Sequence, residues 1–157
     1  MTRMIDSFTG KYGFLSNFSP HSAVYCNVFY ATAEHAFQGH KALIAGRIDK
    51  HDEVLRIRES QPGKAKRTCN RHNMPMPQEL VEYWNDMSYR VMLDIVRSKF
   101  SRNSWLKRQL LLTGDTELIE GNNWGDDIWG CIRDSSNGWT GENKLGEILM
   151  QVREELG

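Results

Sequence analysis

The sequence has little of several features that define whole classes of protein. It contains three cysteines, Cys26, Cys69 and Cys131, which lack the paired spacing of a zinc or redox motif. Twenty basic residues balance twenty acidic ones, so no overall charge attracts nucleic acid or an anionic membrane. No apolar run approaches the roughly 20 residues of a membrane span, and the first four residues lead into no signal-peptide stretch. We therefore expect reduced thiols and a cytoplasmic protein that does not contact the membrane.

Signatures of several common enzyme classes are also missing. The sequence contains no GxGxxG, no GxxxxGK[ST] and no GxSxG, so dinucleotide, P-loop and serine-hydrolase sites lack support. His35 and His40 are five residues apart, whereas the zinc-binding HExxH helix needs a separation of four. We expect no metal site and no cofactor. A cysteine–histidine nucleophile stays open, although no local signature favours it.

The apolar pattern predicts an α+β fold in a single domain over residues 1–157. Alternation around Val24–Tyr30 predicts short strands joined by turns, and Thr32 is a candidate N-cap. The domain is expected to be mainly helical and packed around a small β-sheet from the N-terminal third and the Glu117 region. Helices are predicted over 33–44, 51–59, 78–100, 105–112 and near 145–152, with turns at 62–63 and 75–77.

The first predicted helix places an acid, an amide and a cation on one face. Glu34, Gln38 and Lys41 stand at offsets of four and seven, which lie along the same side of an α-helix. The helix dipole favours a carboxylate at Glu34 in the first turn, by roughly 0.3–1 kcal/mol when exposed. An ordinary amphipathic surface explains the same spacing, so the pattern leaves both interpretations open.

Two other places in the sequence, one on the long predicted helix and one in a later loop, are also compatible with either a structural or a binding role. Trp84 belongs to the apolar stripe of the long helix, which is typical of a core or rim residue and compatible with a ligand platform. A polar, glycine-rich stretch contains Asp126, Asp127 and Trp129. It is longer than most loops that only connect two secondary-structure elements. Turn formation and a binding site both explain these acids.

Ordered motifs across nearly the whole chain resemble those of the NADAR (YbiA-like) family of N-glycosidases. Each motif is short, but their order along the chain is specific. The resemblance is carried by Tyr12-Gly13-Phe14-Leu15-Ser16-Asn17-Phe18, Ala33-Glu34-His35-Ala36-Phe37-Gln38-Gly39-His40-Lys41, Lys99-Phe100, Leu110 to Gly114, Asp126-Asp127-Ile128-Trp129-Gly130 and Gly141 to Gly146 through Arg153.

The resemblance implies roles for particular side chains. It makes Glu34 the acidic catalytic residue, Lys41 its cationic companion and Asp126 a second acid. The assignment of the general acid and the general base to these two residues stays open. A nucleophilic amine at Lys41 is also open. The resemblance implies that the substrate is bound by Asn17, Phe18, Gln38, Trp84, Trp129, Gly130 and Asn143.

The family implies hydrolysis of a bond between ribose and a nitrogen in a nucleotide-type substrate. Family members act on ribosylamino-pyrimidine phosphates of riboflavin synthesis or remove ADP-ribose from guanine. An aspartate often follows the Trp-Gly pair in the riboflavin-type branch, whereas this chain has Cys131. We therefore expect removal of ADP-ribose from guanine, in nucleotides or in ADP-ribosylated DNA or RNA.

Two other functions stay open. A module could bind ADP-ribose or a related nucleotide in the same pocket without cleaving it. A nucleic-acid-interaction protein could use the basic cluster from Lys64 to His72, although such clusters are usually solvated faces.

Overall fold

The computed structural model describes residues 3–157 and has an α+β fold, as predicted. The helices are α1 (Ala33–Ile44), α2 (Ile48–Arg56), α3 (Pro62–Thr68), α4 (Gln78–Ser101), α5 (Ser104–Leu112) and α6 (Lys144–Leu156). The strands are β1 (Met4–Ile5), β2 (Ala23–Tyr25), β3 (Val28–Tyr30), β4 (Glu117–Leu118), β5 (Ile132–Arg133) and β6 (Trp139–Thr140). None of the helices formed by residues 3–157 combines the length and apolar character of a membrane span.

The β structure within residues 3–157 consists of three two-stranded sheets instead of one. β1 pairs with β4 in parallel, β2 pairs with β3 antiparallel, and β5 pairs with β6 antiparallel. The first pairing joins the N-terminal segment to the Glu117 region, as the sequence predicts. Strands of two or three residues present too little backbone for a larger sheet, so each pair depends on the helices and loops around it.

The backbone forms two compact units, and the prediction of a single domain stays a prediction. The central unit comprises residues 17–99, and the split unit comprises residues 3–16 and 100–157. Residues 1 and 2, which belong to the segment assessed for a signal peptide, lie outside the described residues. In the central unit, α1, α2 and α3 share a core of Ala42, Val54, Ile57, Ala65, Cys69 and Met74. In the split unit, α6 buries Leu145, Ile148, Leu149 and Val152.

The helix predictions differ in accuracy. The predicted bounds of α1 are confirmed, and α4 extends one residue beyond its prediction. α2 begins and ends three residues earlier than predicted. The turn predicted at Pro62–Gly63 is wrong, because Pro62 occupies the first position of α3. Proline suits that position, since its fixed φ is helical and the first N–H has no partner within the helix.

Gly39 allows α1 to approach Tyr30 of β3 closely. A Cβ at this position would lie 2.6 Å from Tyr30 Cε1. The same ring is held by a 2.8 Å hydrogen bond between Tyr30 Oη and His51 Nε2, so it has little freedom to move. We expect Gly39→Ala to lower the free energy of unfolding by about 1–2 kcal/mol, since overpacking costs more than the gain in helix propensity.

Thermal denaturation checks this expectation against Gly63→Ala in α3. A Cβ at Gly63 would have only ordinary contacts, the nearest at 3.7 Å. The Gly63 variant should therefore be as stable as the wild type or slightly more stable. A Gly39 variant that melts at or above the wild-type temperature would contradict the packing argument.

Candidate active site

Glu34 and Gln38 form a buried polar pair on α1. Only 8% of Glu34 and 7% of Gln38 is exposed, so the interpretation of this face as an ordinary surface is wrong. Gln38 Nε2 donates a 3.2 Å hydrogen bond to Glu34 Oε2. Burying a carboxylate is costly unless other groups compensate it, so this placement needs a reason beyond helix formation. The catalytic role of Glu34 and the substrate contact by Gln38 stay predictions.

The first turn of α1 is fixed at both its cap and its flank. Thr32 Oγ1 accepts a hydrogen bond from the His35 N–H at 3.1 Å, which confirms Thr32 as the N-cap. The Glu34 N–H donates to Asn17 O at 3.1 Å and so attaches the Tyr12–Phe18 motif to the helix. His35 is buried between Thr32 Oγ1 (2.7 Å) and Ile57 O (3.0 Å), and burial lowers its pKa. His35 therefore has a structural role.

Three polar atoms in the central unit are buried and form no hydrogen bond with the described residues. They are Asn17 Oδ1, Gln38 Oε1 and His40 Nδ1. An unsatisfied buried polar atom costs about 1–3 kcal/mol, so such atoms usually meet a ligand or a water. The Gln38 amide is oriented by its bond to Glu34, which leaves its oxygen available as an acceptor. Asn17 and Gln38 were predicted to bind substrate; His40 was not.

Lys41 extends the same face of α1 towards α3. Its ammonium group donates a 3.0 Å hydrogen bond to the carbonyl oxygen of Cys69, the C-cap residue of α3. Burial lowers the pKa of Lys41, while the nearby Glu34 carboxylate opposes that shift. Burial also raises the pKa of the Cys69 thiol to about 11. Cys69 is therefore a protonated core thiol at neutral pH, which removes it as a candidate nucleophile.

Trp84 and Phe18 differ sharply in exposure. Trp84 is 6% exposed and packs against Phe37, with ring centroids 5.0 Å apart and the planes inclined by 48°. The ring centroids of His40 and Trp84 are 6.4 Å apart. Phe18 is 44% exposed. The structure thus supports a packing role for Trp84, and its use as a ligand platform stays a prediction.

In the split unit, Asp126 and Asn122 organise the loop before β5. Asp126 Oδ1 accepts hydrogen bonds from the N–H groups of Ile128 (3.1 Å) and Trp129 (2.9 Å). The Asn122 side chain donates to the carbonyl oxygens of Asp126 (2.8 Å) and Cys131 (3.2 Å). Turn formation by Asp126 is therefore present in the structure, and its catalytic role stays a prediction.

The remaining predicted site residues hold the same loop together. The Asn143 side chain donates to Leu118 O at 2.9 Å and accepts from the Glu120 N–H at 3.0 Å, so backbone groups engage both ends of its amide. A Cβ at Gly130 would collide with Glu120 O. Lys144 Nζ lies 5.6 Å from the centroid of the Trp129 ring. Substrate contacts by Asn143, Gly130 and Trp129 stay predictions.

The predicted site residues fall into two groups, one in each compact unit. Asn17, Phe18, Glu34, Gln38, Lys41 and Trp84 belong to the central unit, and Asp126, Trp129, Gly130 and Asn143 belong to the split unit. Sequence reasoning missed Asn122 and His40, whose importance depends on burial that no local pattern reveals. Across residues 3–157, no group of three or more histidine, cysteine or acidic residues is arranged to hold a metal ion.

Comparison with known proteins decides which family the chain belongs to. A family model described as the NADAR domain matches residues 6–157. The chain belongs to the NADAR domain family. The solution NMR structure of the Escherichia coli protein YbiA superposes on this NADAR chain with a TM-score of 0.76 and 29% identity, covering 99% of this chain and 86% of YbiA. The predicted resemblance is thus confirmed.

Curated relatives of this NADAR chain carry two kinds of name. The N-glycosidase Npun_R5314 of Nostoc punctiforme is 33% identical over 92% of this chain and 86% of the relative. The N-glycosidase YbiA of Escherichia coli is 32% identical over 96% of this chain and 85% of that protein. The riboflavin biosynthesis protein VVA0006 of Vibrio vulnificus is 37% identical over 93% of this chain, which spans only 36% of that longer protein.

Proposed function

We propose that this NADAR protein hydrolyses the bond between ribose and a guanine nitrogen and so releases ADP-ribose. The enzyme class is that of its relatives, which are named N-glycosidases and match nearly the whole chain. The choice of site rests on one observation: Glu34 is buried on α1 and paired with Gln38, whose carbonyl oxygen has no partner among the described residues. A buried carboxylate beside an unpartnered carbonyl oxygen suits a polar ligand that has hydrogen-bond donors.

The chemistry requires negative charge beside the reacting carbon. As the carbon–nitrogen bond breaks, positive charge develops on the anomeric carbon and the ring oxygen. The carboxylate of Glu34 stabilises this charge or accepts a proton from the attacking water. The water oxygen bonds to the anomeric carbon, one of its protons leaves, and the departing guanine nitrogen gains a proton.

Two unsatisfied oxygens support a defined orientation of the sugar in this proposal. Gln38 Oε1 and Asn17 Oδ1 can each accept a hydrogen bond, and ribose hydroxyls and base N–H groups are donors. The Glu34 N–H bond to Asn17 O holds the Asn17 backbone beside the first turn of α1. Both acceptors are therefore attached to the element that carries the acid, which favours a defined substrate position.

The family resemblance adds the remaining roles. Asp126 is the proposed second acid, and Trp84 and Trp129 are the proposed platforms for a flat base. Base stacking on an aromatic side chain contributes roughly 1–3 kcal/mol per base. Lys41 is proposed to act on a phosphate or on developing charge as a cation, with attack on the opened sugar as the alternative.

Cys131 favours the ADP-ribosyl substrate. Its buried thiol lies 3.8 Å from Gly141 O in a position to donate a weak hydrogen bond. The aspartate often found here in the riboflavin-type branch would place a carboxylate against that carbonyl oxygen, an arrangement without a donor. An ionised aspartate cannot donate to Gly141 O, so this contact of the loop depends on Cys131.

Ribosylamino-pyrimidine phosphates are the second candidate substrates. This candidate is favoured by the name of VVA0006, a riboflavin biosynthesis protein with 37% identity to this chain. The same acid would stabilise the same charge on the ribose, because only the leaving amine differs. The two candidates are therefore separated by substrate and not by mechanism.

A substrate panel in H₂¹⁸O tests the proposal. Purified protein is incubated with ADP-ribosylated guanosine and, separately, with ribosylamino-pyrimidine phosphate, and the products are identified by mass spectrometry. We expect free ADP-ribose that carries one ¹⁸O atom, since water supplies the new oxygen. Glu34→Gln should lose this release, whereas Glu79→Gln should keep it and is the matched control, because Glu79 is an exposed acid in the first turn of α4.

The possible results separate the functions cleanly. Release from the pyrimidine substrate alone would transfer the activity to riboflavin intermediates. Binding of ADP-ribose without turnover of either substrate would identify a non-catalytic reader and overturn the proposal.

A further inference from the structure

The segment from Lys64 to His72, called the basic segment below, is an uncompensated positive surface. Between Glu59 and Glu79 the sequence has four lysines and arginines and no acid. Lys64, Lys66, Arg67, Arg71 and His72 are all exposed. Within residues 3–157, none of these five side chains forms an ion pair. The overall neutrality of the chain thus conceals a local concentration of positive charge.

Several other cations in the central unit form ion pairs. Arg47 pairs with Asp49 at 2.9 Å, and Arg97 pairs with Asp94 at 2.8 Å. In the basic segment, by contrast, five exposed basic side chains lie within nine positions of the sequence without an ion pair among residues 3–157. An exposed cluster of lysine and arginine binds phosphates by releasing their counterions, without reading sequence.

An exposed aromatic ring lies beside the basic segment. A Cβ at Gly63 would be 3.7 Å from Arg67 Nη1 and 3.9 Å from Phe18 Cε2, so the guanidinium and the ring flank the same point of α3. Phe18 is 44% exposed. Cations beside an aromatic surface form the usual platform for single-stranded nucleic acid, where phosphates meet the cations and bases stack on the ring.

The basic segment is fixed to the helix that carries Glu34. Lys41 of α1 donates to Cys69 O at the end of α3. Ala65 and Cys69 are fully buried in the core shared by α1, α2 and α3. A strand bound along the basic segment is therefore held at a constant position relative to Glu34.

We propose that the basic segment and Phe18 bind the strand that flanks the modified guanine in single-stranded DNA or RNA. The basic side chains contact its phosphates, and Phe18 stacks on a neighbouring base. This inference rests on the proposed function and narrows the substrate from free nucleotides to a nucleic acid strand. Binding of the strand can be measured without any catalytic turnover.

The test compares Lys64→Gln/Arg67→Gln with the wild type and with Lys107→Gln/Arg108→Gln, which removes two positive charges from α5. Binding of an unmodified, fluorescently labelled 12-nucleotide DNA, and of its RNA counterpart, is measured over a range of KCl concentrations. We expect the α3 variant to bind about tenfold more weakly at low salt and its log–log salt slope to fall by about 1.4, since each single-strand phosphate contact contributes roughly 0.7. The α5 variant should match the wild type.

Turnover is measured in parallel on ADP-ribosylated guanosine and on an oligonucleotide with the same modification. The α3 variant should raise KM for the oligonucleotide about tenfold and leave the nucleoside kinetics unchanged. Equal strand binding by the α3 variant and the wild type would overturn the inference even if the nucleoside is hydrolysed. Salt-dependent strand binding that the α3 variant loses, without hydrolysis of either substrate, would uphold the binding surface and overturn the proposed function.

Discussion

Glu34→Gln is expected to lower kcat for ADP-ribose release by at least about 100-fold and to leave KM within about threefold. Glutamine has nearly the same shape, so the buried site should remain intact. Its carbonyl oxygen can still accept the hydrogen bond from Gln38 Nε2. The substitution removes the negative charge and the proton-accepting capacity, which are the properties that the transition state is proposed to use. Mass spectrometry of released ADP-ribose provides the rates.

Two comparisons guard this result. Thermal denaturation should show that Glu34→Gln remains folded, because a lost fold would also abolish turnover. The Glu79→Gln variant should keep wild-type kinetics. If Glu34→Gln retains more than about a tenth of wild-type kcat, Glu34 does not perform the chemistry.

Lys41→Met is expected to lower kcat/KM by about 10- to 100-fold, while Lys41→Arg should restore much of the loss. A cationic role tolerates arginine, because both side chains supply positive charge near Glu34. A nucleophilic amine does not tolerate arginine, since guanidinium cannot form the imine. Borohydride added during turnover should therefore leave wild-type protein unmodified, and a reduced adduct on Lys41 would overturn the cationic role.

The pH dependence supplies an independent readout of Lys41. Burial places its pKa below the ordinary value of 10.5, so the ammonium form is lost at a lower pH than in a free lysine. If the ammonium is required, kcat/KM should fall on the alkaline side below pH 10.5, and this limb should move upward in Lys41→Arg. A neutral-amine nucleophile reverses the sign, and activity would then rise with pH through the same range.

The helical periodicity predicted α1 well but could not decide the meaning of its polar face. Offsets of four and seven placed Glu34, Gln38 and Lys41 together, and the observed Glu34–Gln38 bond agrees with that spacing. Periodicity does not reveal what covers a face. The burial of Glu34 and Gln38 depends on packing of the folded chain, which is non-local information.

The loop residues show the same boundary between local and non-local information. Asp126 was equally compatible with a turn and with a site, and its bonds to two backbone N–H groups demonstrate the turn. Asn122 is more important to that loop than its sequence neighbourhood suggests, because its partners include Cys131, nine positions away. The start of α3 at Pro62 was mispredicted because proline favours both turns and first helical positions.

The pairing of β1 with β4 has a consequence for how the chain folds. Met4 lies opposite Glu117, so this contact closes a loop that contains the whole central unit. Closing a longer loop costs more entropy, and contacts distant in sequence generally form slowly. The core shared by α1, α2 and α3 consists of residues that are close in sequence. It can form before β4, the partner of β1, has been synthesised. The acid-bearing helix therefore belongs to the part of the chain that can become ordered first during synthesis.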